Sequence, residues 1–495
     1  MTPSGVQDGV GALDRIVREG METTTVPGVA VGVVWQGEVL YAKGFGVRQV
    51  GRPDAINANT VFQLASVSKA ISSTVVAAAV TQKKGIAWDD PIRKSRPGFA
   101  LADPWVSSHV TIADMFSHRS GLPDHAGDLL EDLGYSQDQI LERLRLEPLG
   151  PFRLQYAYTN YGLTEAGEAA ASQVGQPWPE LAQKMIFGPL AMTSSSYRFA
   201  DLQTRGNRAA LHVKLDGTWR PDLTWDVDRQ APAGGASSSI NDLSNWMTML
   251  LGGGKHKGAT VLDSGELQGI WAPQIVRQPA AKVGDRTGFY GLGWNLDYDS
   301  LGRLLVQHSG AFGHGAATNV ALLPSEQLGI VTLTNGYPVG LPEAINNSFL
   351  DQVEYGKQRQ DWLELFGQAF STMEHPAGID YSRPPAHPTP PQANSVYTGT
   401  FASDYWGTLV VGVHSGGLSL TVGPAGQQFP LRHYSGDEFF FEQQGESATG
   451  LSGVAFAVAG GQAESLVISA WNTTGLGRFA RIGQVSGAGF PNRPG

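Results

Sequence analysis

Between Pro384 and Pro391 the chain reads Pro-Pro-Ala-His-Pro-Thr-Pro-Pro, five prolines in eight residues. Proline fixes φ and lacks an N–H, so such a run joins neither a helix interior nor a central strand. It forms an extended, semi-rigid spacer. With 495 residues the chain exceeds a single core of about 100–200 residues, so the run predicts a domain boundary. The sequence changes style across it. Upstream, Val6, Val10, Leu13, Ile16, Val17 and Met21 recur at helical spacing and predict a helix over 5–23. Apolar residues 29–35, the Gln36-Gly37 turn and residues 38–47 predict a hairpin. Residues 66–82 predict a helix ended by Lys83-Lys84-Gly85. Residues 90–285 alternate short helices with Gly/Pro loops, with helices predicted over 137–146, 163–174 and 240–251. Strands follow at 303–308, 319–323 and 328–334, then a helix over 342–370. Either strand set alone leaves a face exposed, which predicts one α/β sheet sewn from both ends around a helical insert. Downstream, glycines divide short apolar runs at 407–413, 417–422, 429–434, 438–442, 454–458, 465–471 and 478–482, the pattern of an antiparallel barrel or sandwich. The expected organisation is a first domain over 1–380, a linker over 381–393, an all-β domain over 394–485 and a loose tail over 486–495.

Composition removes whole classes of function. Hydrophobic residues at 41% and charged residues at 16% supply a buried interior and exclude a disordered chain. A net charge of −10 argues against nucleic acid as a partner. Zero cysteines exclude disulfides, thiolate metal sites and cysteine nucleophiles. No metal-ligand cluster or phosphate-binding loop stands out, so neither a metal nor another cofactor is expected. The most apolar stretch, 74–80, falls far short of the roughly 20 residues that span a bilayer. Residues 1–8 lack a signal peptide's basic and apolar regions. A soluble protein is expected. Its compartment stays open between the cytoplasm and an exported form with its leader removed, and homo-oligomerisation is left open.

Three short motifs carry chemistry. Ser66-Val67-Ser68-Lys69 is an S-x-x-K tetrad, of which about one is expected by chance in a chain with eleven lysines. Positions i and i+3 share a helix face, so the Lys69 amine can reach the Ser66 hydroxyl. Burial and a helix N-terminus both favour an uncharged amine able to take a proton. The same residues also fit an N-cap serine and a solvated lysine. Tyr158-Thr159-Asn160 before a helix can point a phenol and a carboxamide into one cleft, or form an aromatic turn packed on the core. His308-Ser309-Gly310 ends an apolar strand and runs into Ala311-Phe312-Gly313-His314-Gly315. Glycine there lets a substrate backbone approach, and strand N–H groups can face an oxyanion. A structural histidine fits equally, and His314 competes with His308.

Taken together and in this order, the three motifs resemble those of the serine β-lactamase/penicillin-binding-protein superfamily, nearest its class C-like branch with family VIII esterases and D-aminopeptidases. Ser117-His118-Arg119-Ser120-Gly121-Leu122-Pro123, the run from Ala233 to Leu243, and Tyr290-Gly291-Leu292-Gly293-Trp294 resemble it too. The resemblance covers roughly residues 10–365, and residues 394–484 resemble the lipocalin-like barrel appended to some of these hydrolases. It implies a β-lactamase/transpeptidase-like antiparallel sheet with flanking helices and a helical insert, followed by an all-β barrel. It also implies acyl transfer through a covalent serine ester. Ser66 would be the nucleophile, and Lys69 and Tyr158 would share the proton work. Asn160, His308 and Gly310 would bind and orient substrate, and the Ser66 and Ala311 N–H groups would form the oxyanion hole. His308 stands where many relatives place a lysine for the substrate carboxylate. That departure favours esters or neutral amides over β-lactams. The expected function is hydrolysis of ester or short-peptide amide bonds, D-residues included. An acyltransferase or peptide cyclase on the same acyl-enzyme, a β-lactamase, and a noncatalytic penicillin-binding sensor are the alternatives.

Overall fold

The computed structural model describes residues 1–221, 225–373, 379–383 and 385–483. Pro384 and the expected tail over 486–495 lie outside the described residues. The chain forms two compact units. The first comprises Met1–Ala126 and Leu149–Met373, and the second joins Gly127–Pro148 to the chain beyond Met373. Within the stretch 1–380 expected as one domain, residues 127–148 group with the second unit. Their short helices, Asp128–Asp132 and Gln137–Arg143, share the periodicity of the whole insert. Nothing local tells which surface they cover.

The first unit opens with helix α1 (Pro3–Thr24), capped by the Thr2 hydroxyl accepting from the Gly5 N–H. Strands β1 (Gly28–Trp35) and β2 (Glu38–Gly46) form the expected hairpin. Helices α2 (Val67–Thr81), α3 (Asn160–Val174) and α4 (Ile240–Leu251) follow. Then come β3 (Ile275–Gln278), β4 (Gly288–Tyr290), β5 (Asn295–Tyr298), β6 (Leu304–Phe312), β7 (Ala316–Leu323), β8 (Leu328–Thr334) and α5 (Leu341–Tyr355). The sheet order is β2-β1-β8-β7-β6-β5-β4-β3, antiparallel throughout. Strands β1, β7 and β8 are buried on both faces, which is why they are mostly apolar rather than alternating. Helices α1 and α5 pack together on one side, where Thr332 donates to Asn346. On the other, Gly32 faces Ile240 and Ser244 of α4. The helix expected over 342–370 is two helices: Gly356, at φ +66°, ends α5, and a new one runs Trp362–Met373.

The second unit carries nine strands: β9 (Gly399–Ser403), β10 (Gly407–His414), β11 (Gly417–Val422), β12 (Gln427–Pro430), β13 (Arg432–Ser435), β14 (Glu438–Glu442), β15 (Leu451–Ala459), β16 (Gln462–Ile468) and β17 (Arg478–Gly483). Their order is β12-β11-β10-β9-β17-β16-β15-β14-β13. The strand expected over 429–434 is split at Leu431, whose N–H turns to the Leu418 carbonyl. Its halves, β12 and β13, become the two edges of the sheet. Because one residue joins those edges, the sheet must curl into a nearly closed barrel around Phe401, Leu409, Leu420, Phe441, Leu466 and Phe479. The proline run is tied to this barrel: Thr389 donates its N–H to Ser435 Oγ and its carbonyl accepts from Gly436.

Candidate active site

Ser66 sits at the first turn of α2, a helix whose residues are buried almost all round. The residue before it, Ala65, holds φ +47°, a left-handed conformation that costs an alanine about 1 kcal/mol or more. The Leu64 N–H to the Ala236 carbonyl and the Ser68 N–H to the Ala65 carbonyl hold that turn, aiming Ser66 off the helix end. One turn on, Lys69 is fully buried. Its Nζ lies 3.0 Å from Ser66 Oγ, 2.7 Å from Asn160 Oδ1 and 3.0 Å from the Ala233 carbonyl. Tyr158 donates its hydroxyl to Ser66 Oγ at 2.7 Å, and its ring centroid is 4.6 Å from Lys69 Nζ. Ser66, Lys69, Tyr158 and Asn160 therefore meet at one point.

The loop carrying Tyr158 is fixed by Asp124, His125 and His118, none of them among the expected site residues. Tyr158 N–H donates to Asp124 Oδ1 at 2.7 Å, and the Tyr158 carbonyl accepts from His125 N–H at 2.7 Å. His118 Nδ1 accepts from the Thr159 N–H at 3.1 Å, which leaves Nε2 to carry the ring proton. The buried His118 ring packs 4.5 Å from Tyr158 and 4.9 Å from Tyr290. Burial, with Lys69 nearby, holds its pKa well below the usual histidine range.

His308 lies on β6 with both ring nitrogens engaged. Nδ1 faces the Ser309 carbonyl at 2.7 Å and so carries the hydrogen, and Nε2 accepts from the Tyr290 hydroxyl at 2.9 Å. Burial, helped by the nearby Lys69, pushes its pKa down to about 3, so the ring is neutral at pH 7. Its geometry is that of a residue holding Tyr290, not of a cation facing a ligand. His314, in the turn after β6, packs its ring tilted against Trp225 at 4.6 Å.

Gly310 presses against the nucleophile's turn. A Cβ there would lie 2.3 Å from the Leu64 carbonyl oxygen and 2.9 Å from Ser66 N. Next along β6 is Ala311. Strand β5 pairs with β6 only through Gln307. From His308 to Phe312, among the described residues, β6 pairs on one side alone, with β7. A free sheet edge thus runs beside Ser66. Ser309 points to the opposite face, where Asn319 donates to its hydroxyl at 3.0 Å and Asn346 donates to Asn319 Oδ1. Among the described residues no three His, Asp or Glu side chains converge as metal ligands, and no helix is long and apolar enough to cross a membrane.

A serine touched by a buried amine and a phenol, at the head of a central helix beside an antiparallel sheet, is the arrangement of the β-lactamase fold. Residues 13–353 match the Beta-lactamase family model, and the chain belongs to that family. Residues 383–477 match a domain of unknown function, DUF3471. The chain is 26% identical over 348 residues to the unguisins hydrolase of Aspergillus campestris, covering 67% of this chain and 63% of that protein, less than two thirds of its length. It is 24% identical over 432 residues to the unguisins hydrolase of Aspergillus violaceofuscus, covering 81% and 76%. Penicillin-binding protein 4 of Amycolatopsis lactamdurans is 29% identical over 323 residues, covering 63% and 81%. Among solved structures, the octameric penicillin-binding protein homologue from Pyrococcus abyssi superposes with a TM-score of 0.61 at 19% identity, over 95% of this chain and 100% of that one. The fold expected from the motifs, an antiparallel sheet with flanking helices plus a nearly closed all-β barrel, is the fold observed.

Proposed function

We propose that the protein hydrolyses ester or short-peptide amide bonds, D-residues included, through an acyl-Ser66 intermediate. The observation that carries this reading is the placement of Ser66 Oγ 3.0 Å from Lys69 Nζ and 2.7 Å from the Tyr158 hydroxyl. Two of the Lys69 neighbours, Asn160 Oδ1 and the Ala233 carbonyl, can only accept. In the reacting form the Lys69 amine is uncharged, with hydrogens toward these two acceptors and its lone pair toward the Ser66 hydroxyl. The serine proton passes to the Lys69–Tyr158 pair as Oγ bonds to the substrate carbonyl carbon. The carbonyl oxygen then takes the negative charge between the N–H groups of Ser66 and Ala311. The pair returns the proton to the departing amine or alcohol as that bond breaks, with Tyr158 as donor. Water repeats the sequence on the acyl ester and frees Ser66. Asn160 orients Lys69. His308 and Tyr290 support the Tyr158 side of the site, and Gly310 lets β6 close on the nucleophile.

The free edge of β6 suits an extended peptide backbone, which pairs with strand N–H and C=O groups whatever its side chains. A neutral His308 supplies no fixed cation, which supports uncharged esters and amides over substrates anchored by a carboxylate. The relatives named as unguisins hydrolases support hydrolysis over acyl transfer. The test is a panel of p-nitrophenyl esters, D- and L-aminoacyl anilides and nitrocefin, with intact-mass detection of the adduct and product analysis with a competing amine. Fluorophosphonate is expected to label the wild type and not Ser66→Ala. Equal labelling of both would overturn the reading.

A further inference from the structure

We infer that the second unit positions Tyr158, through the lobe Gly127–Pro148 that it holds. The inference rests on the reading that Tyr158 moves the serine proton. It begins with the two strands of chain that lead out of the site and back. Gly150 N–H donates to the Gly121 carbonyl, Arg153 N–H to Arg119 and Ala157 N–H to His118, at 2.8–2.9 Å. With the Asp124, His125 and Thr159 bonds, these make a stem in which residues 118–125 and 150–159 lie side by side. The chain leaves the stem at His125, beside Tyr158, and returns to it by Gly150. Between Ala126 and Leu149 the chain is the lobe.

The lobe is closed by the barrel of its own unit. Asp132 accepts the N–H groups of Glu446 and Ser447, each at 2.9 Å. Tyr135 donates its hydroxyl to the Trp406 carbonyl at 2.8 Å, and Arg143 Nε donates to the Tyr405 carbonyl at 3.0 Å. Gly423, at φ +75°, lies so near that a Cβ would fall 2.3 Å from the Leu133 carbonyl oxygen. Hydrogen bonds from two loops of the barrel, with the backbone of a third pressed against Leu133, make this a clasp and not a glancing touch. Without it the lobe is a 22-residue excursion whose helices span only five and seven residues, too short to be stable unaided. Motion in the lobe passes through two covalent junctions into the stem, and the stem holds the backbone of Tyr158 on both sides. Asp132, Tyr135 and Arg143 are positioning residues: they touch no reacting atom and act through the stem.

The experiment uses the full chain and two clasp variants, Asp132→Ala and Tyr135→Phe. The second removes one oxygen, so it answers even where the first does not fold. Hydrogen exchange is expected to rise over 127–148 and over the stem, with α2 still protected. Labelling of Ser66 by a fluorophosphonate is expected to slow about tenfold, since a displacement under 1 Å suffices. On a p-nitrophenyl ester kcat should fall with KM held within twofold. A variant whose lobe exchanges faster while Ser66 reacts at the wild-type rate overturns the inference, as does unchanged exchange in both variants. Tyr158→Phe, run alongside, separates the two levels. If it reacts like wild type, the reading of Tyr158 fails; if it is slow and the clasp variants are not, only the inference fails.

Discussion

Replacing Gly310 by alanine tests whether β6 and the nucleophile's turn form one rigid assembly. The added Cβ would stand 2.3 Å from the Leu64 carbonyl oxygen, 2.4 Å from Thr318 Oγ1 and 2.9 Å from Ser66 N. Two of these are backbone atoms on the buried approach to α2, and Thr318 is itself pinned by its hydrogen bond to Leu64. No flexible side chain end can yield. Relief of the Leu64 contact to ordinary separation requires about 1 Å of movement between β6 and residues 64–66. That movement parts the N–H groups of Ser66 and Ala311, and a 1 Å error at such a site costs about 10²-fold in rate. Overpacking should also lower stability by about 1–3 kcal/mol. Single-turnover acylation by a p-nitrophenyl ester, read in a stopped-flow instrument, reports the step directly. Gly11→Ala is the control, because a Cβ there meets nothing within 4 Å and an alanine should stabilise α1 by about 0.5–1 kcal/mol. If Gly310→Ala acylates within threefold of wild type, the proposed oxyanion site is misplaced.

Lys69→Ala should abolish labelling of Ser66, a loss of about 10³-fold or more, with circular dichroism unchanged; a labelled variant would mean that another base serves the serine. Glu343→Gln addresses pH dependence of stability. Burial pushes the Glu343 carboxyl up to about 7 behind β6, with Ser309 close to it. The folded state therefore keeps a proton that the unfolded chain releases near 4.5, and wild type loses stability as pH rises from about 4.5 to about 7. The glutamine variant should escape that loss and gain on wild type by up to about 3 kcal/mol across the window. Equal slopes of melting temperature against pH in the two proteins would refute this.

The meeting of Ser66, Lys69, Tyr158 and Asn160 is legible in sequence because each pair lies at a helix start or one helical turn apart, where spacing dictates direction. His308 is legible as a position but not as a neighbour of Tyr290, which reaches it through a hairpin register 18 residues away. His118 hides for a similar reason: it sits at φ +55° and meets Thr159 41 residues on. Strands β3 to β5 escape a pattern search because they are three or four residues long, too short for alternation to register. The barrel's closing strands read as one because the break at Leu431 alters hydrogen bonding and not hydrophobicity. The assignment of 127–148 was invisible for a stronger reason, since its partners lie up to 315 residues downstream.

That separation sets a timetable for synthesis. Ser447 must be made before Asp132 can meet it, and β9 must still wait for β17 to complete its pairing. At about 5–20 residues per second a ribosome takes roughly 15 to 60 s to cover the interval. During that time the chain carries its nucleophile and its amine but not the finished surroundings of its phenol. On the proposed clasp, a chain stopped before Ser447 is expected to hold Ser66 and Lys69 with the lobe still open.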